Sequence, residues 1–143
     1  MQVNELMTRN AQCIPPDATL QEAAQRMKDL DVGVLPVCDD DRVVGVVTDR
    51  DIVIRCVASG QDPNLEHVRD AMTPQVNYCF EDDDVVDVAE LMSEKQVRRL
   101  LVLNRRKRLV GIVSLGDLAV ENGTEDLAGY ALEAISEPSS PTR

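Results

Sequence analysis

A chain of 143 residues with a formal net charge of −11, one Phe, two Tyr and no Trp has neither the basic footprint nor the stacking surface that nucleic-acid binding draws on. Its 43% hydrophobic content is almost wholly aliphatic, and no run approaches the roughly 20 apolar residues of a membrane helix. A single histidine and four cysteines without a Cys-x-x-Cys pair exclude Ser-His-Asp triads, multi-histidine metal sites and zinc ribbons.

The N-terminus, MQVNELMTRN, carries Glu5 and Arg9 and no apolar run, so it is not read as a secretory signal and a cytoplasmic protein is expected. Gln12 to Ile14 predicts a short strand. Thr19-Leu20-Gln21-Glu22 fits a capping box, and Leu20, Ala23, Ala24, Met27 and Leu30 lie at helical spacing. Val34 to Cys38, a polar turn over Asp39 to Arg42, and the β-branched run Val43 to Thr48 predict a hairpin. A short helix then begins near Asp51, with Ile52, Val53, Cys56 and Val57 as its apolar residues. Residues 59–67 are polar, with Gly60 and Pro63, and read as a linker.

The same order returns at an offset of about 65 residues. Leu6-Met7-Thr8 aligns with Ala71-Met72-Thr73, Asp17 with Asp82, Met27 with Met92, and Leu35-Pro36-Val37 with Leu100-Leu101-Val102. Asn77 to Phe80 is the second short strand. Asp84 is placed to cap a helix with Val85, Val88, Ala89 and Met92 on one face, and the runs Leu100 to Leu103 and Leu109 to Ser114 flank a turn over Asn104 to Arg108. The fold class is therefore α/β: two β-α-β-β-α repeats, over 5–58 and 68–121. Each is small enough to need partners for its core. A final amphipathic helix within 122–136, carrying Leu127, Tyr130, Ala131, Ala134 and Ile135 and capped by Thr124, either covers the module's own flank or meets a partner. Residues 137–143 have the composition of a disordered tail.

One local pattern occurs in both repeats, Gly-x-x-Thr/Ser-x-x-Asp: Gly45, Thr48 and Asp51, then Gly111, Ser114 and Asp117. A hydroxyl where a strand opens into a helix suits phosphate, because unpaired N–H groups point outward there. An ionised Asp accepts only, and can take both hydroxyls of a ribose diol. The same residues also make an ordinary helix N-cap. Arg105-Arg106-Lys107-Arg108 reads as a solvated turn, and Glu81 to Asp84 as a solvated helix start. Cys13 and Cys38 fall on strands that could run side by side, so a disulfide, a shared metal and two buried thiols all stand as readings.

The run Leu-Pro-Val and then Val-Val-Gly-Val-Val-Thr-Asp-Arg-Asp, after a Met-Thr start and a helix, resembles a CBS domain, named for cystathionine β-synthase. The resemblance spans roughly residues 5 to 121, and the stretches TDRDIVIR and ASGQDPN are similar to stand-alone bacterial pairs of the hypoxic response protein type. It implies a tandem pair with pseudo-two-fold symmetry, clefts for AMP, ADP, ATP or S-adenosylmethionine with no obligatory cofactor, and a homodimer. It further implies one site of Ser114 and Asp117 with Thr8, Gln12, Cys13 and Ile14, and another of Thr48 and Asp51 with Thr73, Asn77, Tyr78 and Cys79. Phosphate-binding relatives often place His or Arg where this chain has Arg98-Arg99, whereas Gly33-Val34 stand at the matching place in the first repeat. The Asp117 site is thus favoured for phosphate, unless Arg98 and Arg99 pair with Glu81 to Asp84. Leu101 stands where the pattern has Pro. The expectation is a regulatory, non-catalytic ligand sensor; a structural dimer and a cysteine-based redox or metal sensor are the alternatives.

Overall fold

The capping box expected at Thr19 forms: Thr19 Oγ1 accepts from Glu22 N at 3.1 Å, and the Glu22 carboxylate accepts from Thr19 N at 3.1 Å. Two donors that a helix start leaves open are thereby satisfied. The structure, a computed structural model, describes residues 1–121 and 123–138. Helix α1 (Leu20–Leu30) buries Leu20, Ala23 and Met27. Ala24 and Leu30, expected on the same face, are exposed; the contact stripe is only one residue wide per turn, and they lie beside it.

A short strand β1 (Thr8–Arg9) precedes α1. After α1 comes the hairpin of β2 (Val34–Asp39) and β3 (Arg42–Thr48), with Asp40 in the left-handed region at φ 54° in its turn. Helix α2 (Asp49–Ile52) widens into a π-helical turn over Val53–Val57, and α3 (Val68–Ala71) closes the first half. The second half gives β4 (Tyr78–Phe80), α4 (Val85–Lys95), β5 (Arg99–Leu103), β6 (Leu109–Ser114) and α5 (Leu115–Val120). Helix α4 buries all four of its expected apolar residues, and Asp84 accepts from Val86 N at 2.9 Å as its cap.

Helix α6 (Glu125–Ser136) packs on α4 and α5 and buries Ala128 and Ala131 against them. Its start is not made as expected. Thr124 does not cap; its hydroxyl donates backwards to Leu118 O at 2.6 Å and Glu121 O at 3.0 Å, and the residue is 2% exposed. A buried hydroxyl must find an acceptor, here the carbonyls at the end of α5. The tail expected over 137–143 lies outside the described residues beyond Pro138.

The chain forms two compact units, residues 11–76 and residues 1–10 together with 77–143, each with its own aliphatic core. The leading segment of each repeat therefore sits in the unit built mainly from the other. In one, β1 pairs antiparallel with β6 (Thr8 with Ile112, Arg9 with Gly111), completing a sheet of order β1-β6-β5-β4. In the other, Thr73 exchanges two backbone hydrogen bonds with Val46 of β3, at 2.8 and 3.0 Å. Glycine makes this possible. A Cβ on Gly111 would stand 2.6 Å from Thr8 O and 2.9 Å from Met7 Sδ, and one on Gly45 would stand 2.7 Å from Thr73 O. The glycine of the repeated pattern thus serves strand pairing.

The strand expected over Gln12–Ile14 reduces to one parallel bridge, Ile14 with Val37. Ile14 N donates to Pro36 O at 2.9 Å and Cys38 N to Ile14 O at 3.0 Å. The next rung would need an N–H on residue 36, which proline lacks. Leu101, at the matching place, has that donor and gives it to Asn77 O at 3.2 Å, so β4 extends over three residues, parallel to β5. A Cys13–Cys38 disulfide, with Cα atoms 5.7 Å apart, holds the shorter pairing instead.

Two outcomes are expected. Gly111→Ala should lower stability by about 1–3 kcal/mol through overpacking against backbone, read as a lowered urea midpoint. Alkylation of the denatured protein without reductant should modify Cys56 and Cys79 alone, and prior reduction should add Cys13 and Cys38, seen by mass. The chain-entropy contribution of that loop is about 3.5 kcal/mol, so reduction should also lower the melting temperature.

Candidate functional site

Both repeats build the same cap. Ser114 N donates to Asp117 Oδ2 at 2.8 Å while Ser114 Oγ accepts from Asp117 N at 3.2 Å. Thr48 and Asp51 match them at 2.9 and 3.0 Å. The helix-start reading of these four residues is what the geometry realises. Each box uses Oδ2 of its carboxylate; Oδ1 takes no part in it. Asp51 and Asp117 are half-buried, so a second, simultaneous bond to a ligand hydroxyl is chemically open to each.

What separates the repeats stands beside the cap. Arg99 opposes Ser114 across β5 and β6, and Leu115 N donates to Arg98 O at 2.8 Å. The two arginines, Ser114, Leu115, Gly116 and Leu132 line a cavity of about 370 Å³. The alternative pairing of these arginines with Glu81 to Asp84 does not form. Asp82 and Asp83 pair with Arg105, at 2.8 and 3.8 Å, and the Arg105 guanidinium stacks 4.4 Å over the Phe80 ring. So the basic turn is anchored at Arg105, in place of the wholly solvated turn expected. Among the described residues neither Arg98 nor Arg99 has an ion-pair partner.

In the first repeat Gly33 takes the place of Arg98, and Asp49 that of Leu115. Asp49 N donates to Gly33 O at 3.0 Å, and its carboxylate lies over the glycine, 3.1 Å from where a Cβ would be. A negative charge occupies the position that the second repeat keeps for cationic side chains and an apolar residue. Asp49 is not among the residues expected from the sequence; its alignment with Leu115 is the signal that could have found it.

The remaining expected residues divide between the units. Thr8 shares a unit with Ser114 and Asp117 and reaches the same sheet through β1. Gln12, Cys13 and Ile14 belong to the other unit. There Gln12 is exposed, Ile14 is buried, and Cys13 lies in the disulfide with its carbonyl accepting from Arg26 Nη1 at 2.7 Å. Thr73 shares a unit with Thr48 and Asp51, whereas Asn77, Tyr78 and Cys79 do not. Tyr78 is exposed and meets Phe80 edge-on, with centroids 5.7 Å apart. Burial, helped by Asp83, pushes the Cys79 thiol up to about 12, which keeps it protonated and unreactive near neutral pH. As a disulfide, Cys13 and Cys38 present no thiolate to a metal. Among the described residues no cluster of three or more His, Cys, Asp or Glu could hold an ion, and no helix is long and apolar enough to cross a membrane.

The CBS domain family matches this chain twice, over residues 3–57 and 68–121. Hypoxic response protein 1 of Mycobacterium tuberculosis is 40% identical over 116 residues, 80% of either chain. The crystal structure of Hypoxic Response Protein I with two coordinated zinc ions superposes with a TM-score of 0.74 at 38% identity, covering 83% of this chain and 97% of its own. The CBS domain protein PAE2072 from Pyrobaculum aerophilum, complexed with AMP, superposes at 0.76 with 29% identity, covering 90% and 99%. Two matched repeats, a shared α/β fold and this level of identity make the chain a tandem member of the CBS domain family.

Proposed function

We propose that this protein is a non-catalytic regulatory module that binds an adenosyl nucleotide, with the phosphates held at the Arg98–Arg99–Ser114 cavity. The observation that carries the reading is the unpaired arginine pair. What sets the pair apart from other exposed cations of the chain is its placement: the two arginines are adjacent, line one cavity together and have no acid among its lining residues. Two guanidinium groups facing a cavity beside a serine suit a phosphate, which accepts several charge-assisted hydrogen bonds at once. The AMP held by a structural relative supports the same ligand class. Asp117 Oδ1 then takes a ribose hydroxyl while Oδ2 keeps the helix capped.

The first repeat does not offer an equal site. Asp49 over Gly33 sets a carboxylate against any approaching phosphate, a repulsion that the low local dielectric beside a protein surface strengthens. Binding is therefore unequal, with the second repeat occupied first. A ligand that favours one arrangement of the chain over another shifts the population toward it, and a homodimer working through a separate partner in the cytoplasm is the form in which such a shift would be read.

The test is titration calorimetry with AMP, ADP, ATP and S-adenosylmethionine. Arg98→Ala and Arg99→Ala are the decisive variants, because both side chains are exposed and neither carries a cap or core contact. Each should weaken nucleotide binding about tenfold or more, and raised salt should weaken the wild type similarly. Asp117→Ala confounds the comparison, since loss of the cap alone costs about 1 kcal/mol of stability. Unchanged affinity in both arginine variants would place the site elsewhere.

A further inference from the structure

The arginine cavity has one wall that neither repeat supplies. Leu132 belongs to α6, beyond the residues matched by the family. That helix is held at both ends. At its start the buried Thr124 hydroxyl bonds the end of α5. Near its end, Gln96, in the left-handed region at φ 52° where α4 stops, donates Nε2 to Ala134 O at 3.1 Å and to Glu137 O at 2.9 Å. Ala128 and Ala131 fix the face between these anchors. The position of Leu132 is thus set by contacts that do not involve Leu132. Its own side chain is 47% exposed, an uncovered apolar surface across from two cations.

We propose that Leu132 is a specificity-determining residue of this anion site. It offers apolar contact to the body of an organic phosphate whose charged end the arginines hold, so the site distinguishes a phosphate ester with an aromatic or apolar body from inorganic phosphate. Arginines alone would bind either, with preference for the higher charge. Apolar surface against Leu132 adds a gain that only the ester receives, roughly proportional to the area removed from water. The inference rests on the proposed nucleotide site and adds to it a role for the C-terminal helix.

Calorimetry with AMP and with inorganic phosphate as probes separates the two. In the wild type AMP should bind at least tenfold more tightly than phosphate. Leu132→Ala should weaken AMP about tenfold and change phosphate by less than about twofold. Leu132→Glu sets a carboxylate beside the arginines and should weaken both. Tyr130→Ala, on the same helix, 61% exposed and outside the cavity lining, should change neither. Melting temperatures within a degree or two of wild type confirm that α6 stays docked. If Arg98→Ala weakens AMP but Leu132→Ala does not, the role of Leu132 is overturned and the nucleotide site stands. Equal weakening of AMP and phosphate by Leu132→Ala overturns it too, as a general effect on the cavity. Failure of the wild type to bind AMP, or binding indifferent to Arg98→Ala, overturns the nucleotide reading and this inference together.

Discussion

Thr8 O and Thr73 O each lie where a side chain would have to be if Gly111 or Gly45 were any other residue. That close approach lets the leading segment of each repeat lie flat on a strand of the other, and most of the architecture depends on it. Val3 and Met7 enter the core with β6, α4 and α5; Val68 and Ala71 enter the core with β3 and α1. Each core is closed by a segment from the other repeat, so a single repeat would lose the pairing along one sheet edge and several buried side chains. For modules this small, with almost no aromatic residues to bury, that dependence is the means of reaching a sufficient core. The ends of β3 and β6, and hence the places of their capping residues, are set on the other side, by the rungs of Thr48 with Val34 and of Ser114 with Arg99.

On the opposite edge of each sheet the repeats use different chemistry for the same task. Leu101 continues a parallel ladder, through its N–H, to Asn77. Pro36 cannot, and the matching segment is held by the bridge at Ile14, the Arg26 contact to Cys13 O and the disulfide to Cys38. The disulfide thus replaces a missing rung, a structural reason for two cysteines that need involve neither redox sensing nor metal.

Local rules made much of this visible in the sequence. Caps at Thr19, Asp84, Thr48 and Ser114 depend on residues within three positions, and they form as the pattern indicates. Helical periodicity located α1 and α4, and pairs of apolar runs about a polar turn located both hairpins. What stayed hidden was set by distant residues. The reason for Gly45 and Gly111 is a backbone some 30 to 100 positions away along the chain. Thr124 looked like a cap because its neighbours in sequence allow one, yet a carbonyl at Leu118 claims its hydroxyl. Neither Arg105 against Asp82 nor Leu132 against the arginines has a spacing that would announce it.

The two roles open to the Thr/Ser-x-x-Asp pattern do not compete. Folding needs the cap in both repeats, and both have it in nearly the same geometry. Its presence alone therefore cannot mark a ligand site, since a repeat that bound nothing would still require it. The informative residues are those the fold does not need: exposed, without ion-pair partners and absent from the core. Arg98 and Arg99 meet that description, and their counterparts in the first repeat are a glycine and a valine beside an acid. A duplicated fold supplies two equivalent caps; it is the charge placed next to one of them, in a strongly acidic chain, that makes the halves chemically unequal.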